Sequence, residues 1–168
     1  MHFIHRESIV TETAQKQIAA IRQEVAALSF TKFEQNDALA LGKTLLALAE
    51  AASLRVAIGV DLGEQVMFRA SLPGTSADYQ TWIDRKFNTV RRFGKSSMEL
   101  ELTAGFEPGF AAERALDPAR FVLCGGAVPI LIGETVVGCI GCAGLASIED
   151  HRFVIQALAT YHKSVDAK

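Results

Sequence analysis

Basic side chains crowd the stretch between residues 84 and 95, which makes it the densest candidate for binding a charged ligand. Five cations and the single carboxylate of Asp84 give it a local charge of +4, in a chain of net charge −2. Arg85, Asn88 and Arg92 recur at i, i+3 and i+7, so a helix would place them on one face. Guanidinium groups bind carboxylates and phosphates through paired hydrogen bonds. We therefore predict that this face, together with Lys86, contacts an anionic group of a small ligand; a solvated face and salt bridges between subunits are the alternatives.

Trp82 is the only tryptophan of the chain and precedes this face by one helical turn. Large aromatic side chains are often half-buried, with an apolar ring and one polar atom. A core position and a pocket wall are both open interpretations, and we include Trp82 among the candidate ligand contacts.

Glycines are frequent in an apolar, β-branched segment over residues 125–144. Glycine weakens a strand, so repeated glycines indicate that another group lies close to the backbone. If Gly133-Glu134 is a two-residue turn, Gly126 lies opposite Gly141 and leaves one face of a hairpin bare. A flat ligand on Gly125, Gly126 and Gly141, a packed helix and a subunit contact are the interpretations.

Few residues outside these two motifs are typical of catalytic or metal sites. His151 could be a ligand to a metal or to heme iron, a general base, or a polar surface residue. Cys139 and Cys142 form a C-x-x-C, but residues three apart on a strand point to opposite faces and cannot share a metal. No nucleophile elbow, H-E-x-x-H or paired-cysteine zinc spacing occurs, so the sequence does not support a hydrolase.

Two predicted hairpins and several helices would position these residues. The predicted elements are helices over about 11–28, 31–52, 77–97 and 147–161, strands over 56–60 and 65–70, loop and short helix over 105–118, and a second hairpin within 121–145. Capping-box spacing at Thr31–Glu34 and Ser147–Asp150 predicts two of the helix starts. Pro129 indicates an edge strand or a bulge. Hairpin-linked strands favour an antiparallel sheet with helices packed on it, which is the α+β class.

Composition narrows the class of protein. The 168 residues, with 49% hydrophobic and 21% charged side chains, are typical of one globular domain. A net charge of −2 argues against bulk attraction to nucleic acid or to an anionic membrane. The first residues lack the apolar core of a signal peptide, and three cysteines suit a reducing compartment. We predict a cytoplasmic protein with neither nucleic-acid nor membrane partners.

Several motifs together resemble the heme-degrading domain family (GlcG/HbpS-like), most closely its branch of uncharacterised conserved proteins. In chain order they are Leu72-Pro73-Gly74-Thr75-Ser76, the helix from Trp82 to Phe93, Gly125-Gly126-Ala127-x-Pro129-Ile130, and Gly144-Leu145 followed by Asp150-His151. The resemblance runs from about Phe33 to Tyr161. It implies a profilin-like α+β fold, with a five-stranded antiparallel sheet flanked by helices, a homo-oligomer, and heme or a similar tetrapyrrole as ligand. Residues 1–168 would form this single domain, with 1–30 as an N-terminal helical extension.

The chain departs from the family pattern at two positions. Related sequences often carry His before the Gly-Gly pair, where this chain has Cys124, and Ser before the Gly-Leu pair, where it has Ala143. Each change removes a polar group. A thiolate can ligate heme iron, so Cys124 is compatible with heme. We predict no dedicated metal site, and Cys124 and His151 are the residues that could ligate one.

Three functions are compatible with these residues. The first is a small-molecule binding protein, with a flat ligand such as heme on the glycines and its carboxylates held by Arg85, Lys86 or Arg92. The second is a non-catalytic homo-oligomeric structural or interaction module, in which glycines and basic helix form subunit contacts. The third is an enzyme acting on a small carboxylate metabolite. It depends on the basic helix and His151, and no catalytic residue can be assigned.

Overall fold

The computed structural model describes the backbone of residues 2–166 and the side chains of residues 12–165. This part of the chain forms six helices and four strands. In chain order they are α1 (His2–Ala26), α2 (Gln35–Ala51), β1 (Ala57–Leu62), β2 (Gln65–Ser71), α3 (Ala77–Phe93), α4 (Ser97–Phe106), α5 (Phe110–Glu113), β3 (Ala127–Ile132), β4 (Thr135–Ala143) and α6 (Ser147–Asp166). The order confirms the α+β class predicted from the two hairpins.

The sheet separates two hydrophobic layers. Its strands are antiparallel in the order β2-β1-β4-β3. Because side chains alternate along a strand, Ile58 and Val60 of β1 face the main core with α2 and α6, whereas Ala57 faces a smaller core with α3. The sheet therefore lies between α2 and α6 on one side and α3 on the other.

The described chain has four strands rather than the five that the family resemblance implied. The segment between α5 and β3 precedes the edge strand but does not join the sheet. The backbone of Val122 in this segment bonds to α3 instead, since the Thr89 hydroxyl accepts from the Val122 N–H (3.2 Å) and donates to the Val122 carbonyl (2.8 Å). Outside the named strands, the described chain adds only one isolated bridge to the sheet, between Phe30 and Ile132.

The two-residue turn of each hairpin is a Gly-Glu pair. Ile132 pairs with Thr135 across Gly133-Glu134, which confirms the second turn. The first turn is Gly63-Glu64, because Leu62 pairs with Gln65. The predicted four-residue turn over 61–64 was wrong, and Asp61 is a strand residue.

A bulge corrects the register predicted for the second hairpin. Gly141 pairs with Ala127 rather than with Gly126, because the register shifts between Ile130 and Leu131. Pro129 lies in the edge strand β3, as its missing N–H predicted.

The positions of two helix ends differ from those predicted, although the helices themselves are present. α2 begins at Gln35, and its capping box pairs Glu34 with Asp37 rather than Thr31 with Glu34. α3 ends at Phe93 instead of continuing to residue 97, because Gly94 adopts a left-handed conformation (φ +66°) that closes the helix.

Helix α1 packs mainly on α4 and is fastened to it by charge. Glu99, whose side chain is 3% exposed, accepts from the Arg22 guanidinium at 2.6 Å and lies 3.4 Å from Lys95. No helix in the described part of the chain combines the length and apolar content needed to cross a bilayer.

Candidate functional site

A cleft of about 340 Å³ opens between the start of α3 and the β4–α6 turn. Its lining comes from α3, from the residue before the Gly-Gly pair, from the end of β4 and from the start of α6. The lining residues are Asp78, Tyr79, Trp82, Lys86, Cys124, Ala143, Gly144, Leu145 and Asp150. The cleft brings together two predicted ligand contacts, Trp82 and Lys86, and the candidate iron ligand Cys124.

A buried ion pair lies in the lining of this cleft. Lys86 Nζ is 2.8 Å from Asp150 Oδ2 and donates to the Cys142 carbonyl at 2.9 Å. The two side chains are only 2% and 3% exposed. Buried charges are tolerated when they are paired and hydrogen-bonded, and this pair meets both conditions.

The chain around the pair is shaped to hold it. Asp150 Oδ1 accepts from the Leu145 N–H at 3.0 Å and from the Cys142 thiol at 3.3 Å. Asp150 is thus a tertiary contact, and the predicted capping box with Ser147 was wrong. Gly126 has φ +117°, and a Cβ there would lie 2.6 Å from Lys86 Nζ, so glycine leaves room for the ammonium.

Trp82 forms an aromatic wall of the cleft and is fixed by polar contacts. Its indole N–H donates to Asp78 Oδ2 at 3.1 Å. The guanidinium carbon of Arg85 lies 4.3 Å from the centre of the Trp82 ring, which is a cation–π contact. Tyr79, one helical turn earlier, adds a second ring to the lining. The two rings add apolar surface to the cleft beside the buried charges.

The two departures from the family pattern lie in the same cleft. Cys124 is half-buried, Ala143 is buried, and both line the cavity. Cysteine and alanine replace the more polar residues of the family pattern there, so this cleft is more apolar than the pattern implied.

The face predicted to bind an anionic ligand contacts the protein's own backbone instead. Arg85 donates to the Pro118 carbonyl at 3.4 Å, and Asn88 donates to the Arg120 carbonyl at 3.0 Å. Arg92 donates to a carbonyl of the same segment, that of Arg114. These three side chains hold residues 114–120 against α3.

The glycines expected to be bare are covered by neighbouring side chains. A Cβ on Gly141 would overlap the ring of Phe87 from α3, and one on Gly125 would lie 2.6 Å from Met98 Sδ. Of the three interpretations, a packed helix describes Gly141. A flat ligand therefore has no access to the patch formed by Gly125, Gly126 and Gly141.

His151 lies away from the cleft lining, under α1. It is 2% exposed, its Nε2 is 3.4 Å from Glu24 Oε2, and its Nδ1 has no hydrogen-bond partner among the described residues. Burial lowers the pKa of His151 below its ordinary value, with smaller opposing effects from Glu24.

The sequence pattern did not predict a buried charge network around Asp61. Asp61, 2% exposed, binds Arg69 at 2.6 Å and also pairs with Arg91, and both guanidinium groups lie over the Phe87 ring. No local signal marks Asp61, because its partners are 8 and 30 residues away.

Tyr79 is a cleft residue that the sequence could have predicted, since it lies three residues before Trp82 on the same helix. Among residues 12–165, no three His, Cys, Asp or Glu side chains come close enough together to hold a metal ion.

Comparison with known proteins identifies the family. Residues 33–159 match the family described as Haem degrading protein HbpS-like. The chain belongs to this family. The matched region begins after α1, so α1 lies outside it.

The relatives agree in sequence and in fold. A UPF0303 protein of Brucella melitensis biotype 2 is 40% identical over 143 residues, which is 84% of each chain. The crystal structure of the Ybr137w protein superposes with a TM-score of 0.79 at 25% identity, covering 88% of each chain. The PduOC–heme complex gives a TM-score of 0.65 at 17% identity, covering 76% of this chain and 93% of the other, and at that identity it shows the shared fold alone.

The cleft meets the chemical needs of heme only in part. It offers the Cys124 thiol, a side chain able to ligate iron, and the flat rings of Tyr79 and Trp82. Lys86 is the one cation among its lining residues and is already paired with Asp150. The volume of about 340 Å³ is near the lower end for ligand pockets. The lining thus offers one side chain able to ligate iron and two aromatic rings, but provides no free cation for two carboxylates.

Proposed function

We propose that this protein binds a small planar molecule in the cleft beside Trp82. The observation that carries the proposal is a fixed aromatic wall next to a buried ion pair: Trp82 is held by Asp78 and Arg85, and Lys86 by Asp150. Pockets that combine apolar walls with a few placed polar groups are the usual small-molecule sites. A pre-formed wall also lowers the entropy lost on binding.

Heme is the first ligand to test, since the chain belongs to a family described as heme-degrading. Cys124 is the lining residue that would ligate the iron, and Tyr79 and Trp82 would contact the ring. Heme supplies an iron centre able to take a thiolate ligand. The chain's own residues would orient the ring and exclude water from one edge of it.

Titration with hemin tests the proposal by two signals. The chain contains a single tryptophan, so fluorescence quenching reports on Trp82 alone, and the Soret band reports on the iron environment. We expect saturable changes in both, with the Soret change altered in Cys124→Ser and the affinity reduced in Trp82→Leu. Arg92→Gln is the matched control, because Arg92 contacts the Arg114 carbonyl and not the cleft. Binding that neither cleft variant affects would place heme elsewhere.

We also propose that the protein is a homo-oligomer. β2 is an edge strand, and Val66 on it is 58% exposed, which supports a contact along that strand. Light scattering measures the assembled mass, and Val66→Lys should lower it. A monomeric mass for the unaltered protein would refute this proposal and leave the cleft proposal intact.

A further inference from the structure

The Lys86 ammonium has one donor that the chain does not use. An ammonium carries three N–H donors. Within the described residues, the Cys142 carbonyl and the Asp150 carboxylate accept two of them, and Nζ makes no further hydrogen bond. Lys86 also lines the cleft. A ligand atom that accepts a hydrogen bond from Nζ would therefore satisfy the third donor of this charged group.

The charges around that donor disfavour an anion. Lys86 and Asp150 neutralise each other, and Asp78 remains as an unpaired carboxylate in the lining, hydrogen-bonded to the Trp82 indole. A carboxylate on the ligand would enter a lining of net charge −1 in a partly buried site, where repulsion is less screened than in water.

An uncharged acceptor avoids this repulsion. A carbonyl oxygen of an amide or a lactam can accept the third Lys86 N–H without repulsion from Asp78 or Asp150. A planar ring attached to it would lie against Trp82 and Tyr79, which line the same cleft. The site thus has one polar anchor and one flat surface.

Building on the proposed small-molecule function, we infer that the cleft selects a planar ring with a single uncharged acceptor oxygen, bound to Lys86 Nζ. This class differs from the carboxylate ligand expected from the basic helix. The difference arises because Arg85 and Arg92 of that helix hold residues 114–120, and its one buried ammonium, that of Lys86, is neutralised by Asp150.

Three aromatic probes test the inference: benzamide, benzoate, which has the same shape but carries a charge, and toluene, which has no acceptor. Each is titrated into ¹⁵N-labelled protein while the indole N–H resonance of Trp82, the single tryptophan, is followed. Benzamide should bind about tenfold more tightly than toluene, the contribution expected of one hydrogen bond to a charged donor. Benzoate should bind several-fold more weakly than benzamide.

Variants assign these preferences to particular residues. Lys86→Met combined with Asp150→Asn removes both charges and should reduce benzamide binding to that of toluene. Asp78→Asn removes the unpaired carboxylate of the lining and should strengthen benzoate binding relative to toluene binding. Lys95→Met is the control, because Lys95 lies near Glu99 and outside the cleft.

The outcomes separate this inference from the proposed function. If benzamide and toluene bind equally, or if benzoate binds most tightly, the anchor is wrong although a planar ligand still binds. If the double variant does not fold, the probe ranking and the Asp78→Asn result still decide. If no probe shifts the Trp82 indole resonance and hemin does not bind either, the proposed function fails and this inference fails with it.

Discussion

Lys86 and Asp150 meet 2.8 Å apart although 64 residues separate them in the chain. Lys86 belongs to α3 and Asp150 to α6, which pack on opposite faces of the sheet. Their contact passes the end of the sheet and joins the two layers there. The same contact lies in the lining of the cleft, so the candidate site and the stability of the fold depend on one ion pair.

Removing one member of this pair should be costly. Lys86→Met leaves the Asp150 carboxylate buried without its cation, and we expect a loss of about 3–5 kcal/mol in the free energy of unfolding. Adding Asp150→Asn removes the unpaired charge and should restore most of that loss. Urea unfolding of the two single variants and the double variant measures the coupling. Additive effects of the two substitutions would show that the pair does not act as a unit.

Gly141 should tolerate no side chain while Phe87 is present. A Cβ there overlaps the Phe87 ring, so we expect Gly141→Ala to destabilise the protein by about 1–3 kcal/mol through overpacking. Phe87→Leu in the same chain should recover part of it.

Gly105 provides the matched control for this experiment. It lies in α4, and a Cβ there would have no atom within 4 Å. Gly105→Ala should therefore raise stability by up to about 1 kcal/mol, as expected for alanine in a helix. A Gly141→Ala variant as stable as Gly105→Ala would refute the packing of Phe87 on Gly141.

The buried imidazole of His151 should make the fold sensitive to acid. Burial lowers the pKa of His151 in the folded protein below its ordinary value of 6.5. As the pH falls below 6.5, the unfolded chain takes up a proton that the folded chain does not, so stability decreases until the folded pKa is passed. Above 6.5 both states are neutral at this residue and the full stability is retained.

Thermal unfolding between pH 5 and pH 8 measures this dependence. His151→Leu should flatten the curve, since it removes the titrating group and the unsatisfied Nδ1. Glu24→Gln removes the neighbouring carboxylate, which favours the protonated ring, and should steepen the loss. An unchanged slope in His151→Leu would assign the acid sensitivity to other groups.

The three cysteines should differ sharply in reactivity. Burial raises the pKa of Cys139 to about 12, and burial together with Asp150 raises the pKa of Cys142 well above its ordinary value. Cys124 is half-buried and lines the cleft. Iodoacetamide at pH 8 should therefore add one adduct per native chain, at Cys124, as read by peptide mass spectrometry. Ligands that bind in the cleft should slow the alkylation of Cys124. Modification of Cys142 before Cys124 would contradict the burial of Cys142.

Local patterns predicted the elements because they depend on neighbours in sequence. Apolar, β-branched runs separated by glycine-containing turns identified both hairpins, although only the second turn was placed correctly, and glycine indicated a close approach at Gly141. The kind of neighbour could not be predicted, since the ring of Phe87 comes from another element. The bulge after Ile130 shifted the register by one residue, which period-2 reasoning cannot anticipate.

The candidate site was harder to predict because the tertiary structure determines which groups the polar side chains contact. Asp150 fits a capping box in sequence, yet it binds Lys86. Arg85 and Arg92 fit an anion site, yet they bind backbone carbonyls of a segment that has little secondary structure of its own. Trp82 and Cys124 were identified as candidates, but only the folded chain shows that they line one cavity.

Helix α1 lies outside the stretch that defines the family, and two of its charged residues reach groups within that stretch. Arg22 contacts Glu99, and Glu24 contacts His151. The side chains of Glu99 and His151 are almost fully shielded from water. Removing α1 would take away both contacts and open Glu99 and His151 to water. The amino-terminal helix therefore acts as a cover over two ionisable groups of the family domain.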